Sequence, residues 1–314
     1  MSILVVCQHI DANLFAEGLR KLKPGMDVRL WPETGNMSDI RYALAWKPPT
    51  GVLAELPKLK VMFSIGAGVD HMIGQPDLPN VPLVRFVDPN LTMRMTEYVC
   101  LHVLTHHRRM RDYAALQTQK SWKDWWRQPG ANEIRVGVMG LGVLGLDAVE
   151  KLKMLCYRVA GWSRSKKVIE GVETFAGAGE LDAFLARTDI LVCLLPHTAN
   201  TEGMLNTALI AKLAKDGPLP GPVLINAGRG KVQVEKDILL ALDKGDLWAC
   251  SLDVFEEEPL PASSPLWVHP RVIVTPHNAS ISDDMAVCHH VLRQIGRFER
   301  GEPLENVVDV ARGY

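Results

Sequence analysis

Short apolar runs recur along the chain, each bounded by turn residues and followed by a stretch with helical periodicity. The pattern predicts strands over 3–7, 28–30, 42–46, 60–65 and 83–87, with a helix over 11–22 that Asp11 can cap. A long helical pattern runs from about Met95 to about Trp126. It is too long for one compact domain and reads as a connecting element. Further strands are predicted over 158–163, 190–195, 223–226, 248–254 and 272–275, with helices over 180–186, 207–214, 235–244 and 283–300. Strands that alternate with helices in this way build parallel sheets from βαβ units. The expected fold class is therefore α/β.

Between the long helical pattern and the second set of strands lies the run Arg135 to Met139, then Gly140-Leu141-Gly142-Val143-Leu144-Gly145, then a helix over 146–155. A buried strand feeding G-x-G-x-x-G into a helix is the context that makes the glycines a dinucleotide site. Gly140 permits the tight turn, Gly142 lets the backbone approach a pyrophosphate, and Gly145 lets helix and strand pack closely. The N–H groups of Val143 and Leu144 sit at the helix N-terminus, which favours phosphate. Because the motif lies near mid-chain, a complete doubly wound domain is expected over 100–283. Residues 1–99 must then form an α/β layer of their own, joined by 284–314 through the last helix.

In domains that bind NAD, an acidic residue ends the second strand and takes the ribose 2′-OH. Here that strand ends Ser163-Arg164-Ser165-Lys166-Lys167, with no carboxylate. Arg164 offers a planar fork to a 2′-phosphate, Ser163 and Ser165 can donate, and Lys166 and Lys167 add charge. The expectation is NADP(H). The other reading of this segment is a solvated basic turn.

Three later segments each sit at the carboxyl end of a predicted strand, where open α/β sheets bind ligands. The first is Asn226-Ala227-Gly228-Arg229-Gly230, whose arginine can grip a carboxylate bidentately. The second, Asp253-Val254-Phe255-Glu256-Glu257-Glu258-Pro259, carries acids, and the third is Thr275-Pro276-His277. Reducing a 2-oxo acid needs a hydride, a proton donor and a cation for the substrate carboxylate. A nicotinamide supplies the first, a protonated His277 the second and Arg229 the third. A carboxylate beside the histidine would hold the imidazolium near neutrality.

The chain has 314 residues, 47% of them hydrophobic and 23% charged, with a formal net charge of -1. That balance gives no electrostatic footprint for nucleic acid or an anionic membrane. The six cysteines are scattered without a C-x-x-C pair and read as reduced, buried thiols of a cytoplasmic protein. The N-terminus reads as a strand and not as a signal peptide, and no metal site is expected.

Together these segments resemble the D-isomer-specific 2-hydroxyacid dehydrogenases, and within them the chain is similar to the bacterial glyoxylate/hydroxypyruvate reductase A group. The resemblance runs over essentially the whole chain. It rests on the glycine motif, Asn226 to Gly230, Leu252 to Phe255, Glu258-Pro259-Leu260, Pro265-Leu266-Trp267 with His269-Pro270, Thr275-Pro276-His277 and the ending Ala311 to Tyr314. It implies a Rossmann-type nucleotide-binding domain and a flavodoxin-like substrate domain, with the active site in the cleft between them, and a homodimer. It implies a catalytic triad of Arg229, Glu258 and His277, choosing the acid immediately before Pro259. It places Leu195, Pro196, Ala227, Gly228 and Asp253 beside the cofactor. Substrate contacts fall on Trp46, Lys47 and the N–H groups of Ala67 and Gly68, besides Arg229 and His277. A core tryptophan at a strand end is the other reading of Trp46. Trp122, Trp125 and Trp126 are read as dimer-interface aromatics. The segment around Arg94 matches the family loosely, and a cation there would suit a diacid or phosphorylated substrate. The implied activity is NADPH-dependent reduction of glyoxylate to glycolate and of hydroxypyruvate to D-glycerate. Alternatives are a reductase for a different 2-oxo acid and a non-catalytic dinucleotide sensor.

Overall fold

A computed structural model describes residues 2–124 and 127–313. In chain order the elements begin β1 (Ser2–Cys7), α1 (Ala12–Leu22), β2 (Asp27–Leu30), β3 (Tyr42–Trp46), β4 (Val61–Ser64), α2 (Asp70–Ile73) and β5 (Leu83–Val84). Next come α3 (Pro89–His107), α4 (Met110–Thr118), β6 (Arg135–Met139), α5 (Val143–Met154), β7 (Arg158–Ser163), β8 (Glu173–Ala176) and α6 (Leu181–Ala186). The chain continues through β9 (Ile190–Cys193), α7 (Thr207–Ile210), β10 (Val223–Asn226), α8 (Glu235–Lys244), β11 (Ala249–Leu252) and β12 (Val272–Val274) to α9 (Asp284–Glu299).

Two compact units result, Met1–Leu91 with Ile281–Tyr314, and Thr92–Ser280. The first is built on a parallel sheet in the order β2-β1-β3-β4-β5, the flavodoxin-like arrangement. Residues 2–6 of β1 are buried on both faces, as are Tyr42 to Ala45 of β3. This is why both read as continuous apolar runs and not as alternating ones. Helix α1 covers the sheet with Phe15, Ala16 and Leu19, and Asp11 accepts the Asn13 N–H at 2.9 Å to cap it.

The second unit carries a seven-stranded parallel sheet, β12-β11-β10-β9-β6-β7-β8. Counted from β6, the order is 3-2-1-4-5-6 with one further strand, a Rossmann-type doubly wound sheet. Its switch point lies between β6 and β9, where the chain reverses its direction of progress across the sheet. Two apolar cores cover its faces, one around Phe184, Leu191 and Leu224 and the other around Val138, Val149 and Val192.

Several local expectations change. The long helical pattern is two helices, because Arg109 adopts φ 54°, a left-handed conformation that ends α3 and starts α4. Trp122 lies beyond α4 and is almost fully exposed, while Trp125 and Trp126 lie outside the described residues. Helix α5 begins three residues before the expected start, at Val143, with Gly142 as its N-cap. Strand β8 was not expected: its four residues are exposed or half-buried and carry no strong apolar run. Among the described residues, no helix is long and apolar enough to cross a membrane.

Candidate active site

The exits of β10, β11 and β12 adjoin one another in the second unit's sheet. At the first exit the buried Asn226 side chain ties its own loop together. Its Oδ1 accepts the Gly228 N–H at 3.0 Å, and its Nδ2 donates to Gln233 Oε1 at 2.8 Å. A Cβ on Gly228 would lie 2.6 Å from the Leu195 carbonyl oxygen, and one on Gly230 would lie 1.7 Å from that of Phe255. Backbone thus presses on backbone on both sides of Arg229. The half-buried Arg229 is pinned between the exits of β9 and β11, with Nη1 donating to the Gly228 carbonyl at 2.8 Å.

The second exit carries three consecutive acids, and the structure separates their tasks. Glu256 Oε1 accepts the N–H of Glu235, the first residue of α8, at 2.7 Å, while Glu235 Oε1 accepts the N–H of Glu256 at 2.8 Å. Burial raises the pKa of Glu235 above the ordinary value, and the neighbouring Glu256 charge adds to this. Glu258 instead turns to the third exit. Its Oε1 accepts the Phe255 N–H at 3.1 Å, and its Oε2 lies 2.8 Å from His277 Nδ1. A carboxylate only accepts, so Nδ1 carries the hydrogen and Nε2 is the ring position left for proton transfer. The side chains of His277 and Glu258 retain 35% and 23% of their accessibility.

At the exit of β6, Gly140 adopts φ 101°, which an L side chain rarely adopts. A Cβ on Gly145 would lie 1.8 Å from the Gly140 carbonyl oxygen, so helix and turn touch there. Around Gly142 a Cβ would meet nothing within 4 Å. Two of the three glycines therefore answer to the protein's own packing, and the third keeps open the space in front of the α5 N-terminus, where Val143 and Leu144 form the first turn. That cradle fits a pyrophosphate.

The turn after β7 leaves Arg164 and Ser165 exposed. Ser163 Oγ donates to the Ser165 carbonyl at 2.8 Å. Lys166 pairs with Glu180 at 2.9 Å, and Lys167 donates to the Leu141 carbonyl at 2.6 Å. The Glu180 partner was not legible in the sequence, and it draws the Lys166 charge toward itself. At the exit of β9, Leu195 is buried and Pro196 half-buried, and Ala227 is buried beside them in the next loop.

Asp253 is 1% exposed, and its carboxylate accepts from the third loop. It takes the Thr275 hydroxyl at 2.6 Å and the N–H groups of Asn278 and Ala279, each at 3.0 Å.

The flavodoxin-like unit gathers its own cluster at the adjoining exits of β3 and β4. The Trp46 and His71 rings meet at a tilt of 55°, centroids 4.5 Å apart. A Cβ on Gly66 would come 2.6 Å from Trp46 Cζ3, so the indole also rests against that glycine. Lys47 takes φ 45°, and the next carbonyl, of Pro48, accepts Gln75 Nε2 at 2.7 Å. Ala67 and Gly68 are half-buried in the loop leading to α2.

The model of the D-isomer specific 2-hydroxyacid dehydrogenase NAD-binding domain matches residues 100–279. The chain belongs to the D-isomer specific 2-hydroxyacid dehydrogenases. Within this family it is 40% identical, over the whole of both chains, to glyoxylate/hydroxypyruvate reductase A of Escherichia fergusonii. Among solved dehydrogenase structures it is similar to the NADPH-dependent glyoxylate/hydroxypyruvate reductase of Sinorhizobium meliloti in complex with NADP and sulfate. The identity there is 50% and the TM-score 0.94, covering 100% of this chain and 99% of that one. A probable 2-hydroxyacid dehydrogenase of Rhizobium etli, in complex with NADP, HEPES and L(+)-tartaric acid, is 48% identical with a TM-score of 0.94, at the same coverage.

Proposed function

We infer that the chain is an NADPH-dependent reductase of small 2-oxo acids, turning glyoxylate into glycolate and hydroxypyruvate into D-glycerate. The observation that carries this reading is the Glu258–His277 pair, beside an arginine clamped between two glycines at the next strand exit. Bound NADPH supplies the hydride to the substrate's 2-carbon. In its doubly protonated form His277 holds the proton for the carbonyl oxygen on Nε2, while Glu258 accepts the Nδ1 hydrogen and fixes the ring's orientation. Arg229 binds the substrate carboxylate through its planar fork.

Gly140, Gly142, Val143, Leu144 and Gly145 are assigned to the pyrophosphate. Arg164 and Ser165 are assigned to the 2′-phosphate, with Ser163 holding that turn through the Ser165 carbonyl and Lys166 sharing its charge with Glu180, and Leu195, Pro196, Ala227, Gly228 and Asp253 are assigned to the nicotinamide end. Trp46, Lys47, Ala67 and Gly68 are assigned to the substrate side. The Rossmann-type unit is then the cofactor domain and the flavodoxin-like unit the substrate domain.

A homodimer is also proposed. Helix α3 exposes Leu101 at 60% and also Met93 and Leu104, and α5 exposes Val143 and Leu146. Thr96 on α3 donates to Asp147 on α5, so the two helices adjoin. Apolar side chains of this number on adjoining helices suit burial against a second copy. A cytoplasmic setting is supported by six cysteines that are all free thiols, although against expectation only Cys193, Cys250 and Cys288 are buried and Cys156 is exposed.

Initial rates of NADPH and NADH oxidation with glyoxylate, hydroxypyruvate and larger 2-oxo acids test the reading. Fast NADPH turnover with the two small acids is expected. Tight NADPH binding without turnover of any 2-oxo acid would establish a sensor instead.

A further inference from the structure

Helix α3 turns a polar row inward. Tyr98, His102 and His106 follow one another at four-residue spacing, and all are buried. His102 Nδ1 and His106 Nε2 each lie 2.8 Å from Ser251 Oγ, in β11 two residues before Asp253. Burial lowers these histidines to about 4 and about 3, so both are neutral imidazoles, one donating to the serine oxygen and the other accepting its proton. The Tyr98 ring packs at a tilt against that of His102 with centroids 4.1 Å apart, and its hydroxyl lies 2.9 Å from Thr275 Oγ1.

The direction of this last bond follows from its neighbour. Thr275 Oγ1 donates to Asp253 Oδ1 at 2.6 Å, and a carboxylate has no proton to give back. The threonine hydrogen is therefore committed to Asp253, and Tyr98 must be the donor to Thr275. Tyr98 is well placed for this, because burial raises its pKa and keeps the phenol protonated. Asp253 then holds both flanks of His277. Its carboxylate takes Thr275 on one side and the Asn278 and Ala279 N–H groups on the other. Its carbonyl takes the His277 N–H at 2.8 Å. His277 itself adopts φ 53°, a left-handed conformation uncommon for a side-chain-bearing residue.

We propose that Tyr98 and Thr275 are positioning residues for His277. The chain of hydrogen bonds from the Tyr98 phenol through the Thr275 hydroxyl to the Asp253 carboxylate holds the 275–279 loop in the backbone conformation that lays the imidazole on Glu258. This rests on His277 being the proton donor of the proposed reaction. Neither residue needs to touch substrate or cofactor. Their effect runs through a bond network whose members strengthen one another in a low-dielectric interior.

The test compares Tyr98→Phe, Thr275→Val and Thr275→Ser in the full-length protein. Steady-state kinetics with NADPH and glyoxylate are combined with NMR titration of the His277 ring in the absence of substrate. Misplacement of a proton donor by a fraction of an ångström is expected to lower kcat by about 10- to 100-fold in Tyr98→Phe and Thr275→Val. The Kd for NADPH is expected to stay within about twofold, since no cofactor contact is removed. The pH profile and the His277 titration of both variants should move toward those of Glu258→Gln. Thr275→Ser, which keeps the hydroxyl, should restore most of the rate. Wild-type kcat and an unmoved His277 titration in Thr275→Val and Tyr98→Phe would overturn the proposal. If Thr275→Val does not fold, Tyr98→Phe alone decides, because it removes one oxygen and no ring packing. If the wild-type protein reduces no 2-oxo acid, the reaction assignment fails, while the His277 titration still decides whether Tyr98 and Thr275 position the ring.

Discussion

Glu235 and Glu256 hold each other's backbone: each carboxylate accepts the other's N–H, at 2.8 and 2.7 Å. The exchange anchors the acid-rich turn to the N-terminus of α8, where negative charge is favoured. It also singles out one acid for the imidazole, since Glu258 lies past the anchor and reaches His277.

Glu256 and Glu258 should therefore separate in kinetics. Glu258→Gln is expected to lower kcat by roughly 10²- to 10⁴-fold, the range for losing support of a general acid. Glu256→Gln should leave kcat near wild type and cost stability on the order of 1 kcal/mol through the weakened cap. Thermal unfolding read beside initial rates checks both. Comparable kcat losses in the two variants would refute the division of labour.

Cofactor preference should reside in the exposed Arg164, the fork on the turn after β7. Arg164→Ala removes charge-assisted hydrogen bonds to a 2′-phosphate and should raise the Kd for NADPH by about 10- to 100-fold. The Kd for NADH should hardly change. An equal loss for both cofactors, read by fluorescence titration, would remove the phosphate assignment.

The Trp46 indole has a seat made of His71 and Gly66. Gly66→Ala would put a methyl group 2.6 Å from Cζ3 and displace the ring, and His71→Ala would remove its platform. Each change is expected to shift the ratio of kcat/KM between glyoxylate and a bulkier 2-oxo acid by roughly 10-fold, the scale of a methylene-sized pocket change. NADPH affinity should be untouched. An unaltered substrate ranking in both variants would return Trp46 to the status of a packing residue.

Acid should weaken the Rossmann-type unit through its buried histidines. His102 and His106 titrate near 6.5 when unfolded and are lowered by burial to about 4 and about 3 in the fold. Between those limits the unfolded chain binds more protons, so stability is complete above about pH 6.5 and is lost as pH falls toward 4. His102 alone accounts for a loss on the order of 3 kcal/mol. Urea midpoints measured from pH 7 to pH 4 should fall steeply in the wild type and less steeply in His102→Gln. Equal slopes would show that other groups carry the acid sensitivity.

Much of this organisation was legible in the residues because it depends on local sequence. Parallel strands buried on both faces, such as residues 223–226 and 158–163, announce themselves as apolar runs, and Gly140 to Gly145 combine a turn, a close approach and a helix start within six positions. The missing acid after Ser163 is likewise a local fact. What escaped depends on partners far along the chain. Nothing near Lys166 points to Glu180, and nothing near Tyr98 points to Thr275, 177 residues away. The break at Arg109 escaped because no glycine or proline marks it, and the backbone enters a left-handed conformation at an arginine. Strand β8 escaped because an edge strand with half-buried residues needs little apolar pattern.

The sheet order separates two kinds of residue. The glycine turn and Arg164 leave β6 and β7 on one side of the switch point, while Arg229, Glu258 and His277 follow β10, β11 and β12 on the other. On the proposed assignments, the residues for cofactor choice and those for proton chemistry lie on opposite wings of a single sheet. Changes on one wing should combine almost additively with changes on the other. The fold is modular in this sense: a lineage, or an engineer, can exchange the coenzyme without rebuilding the acid.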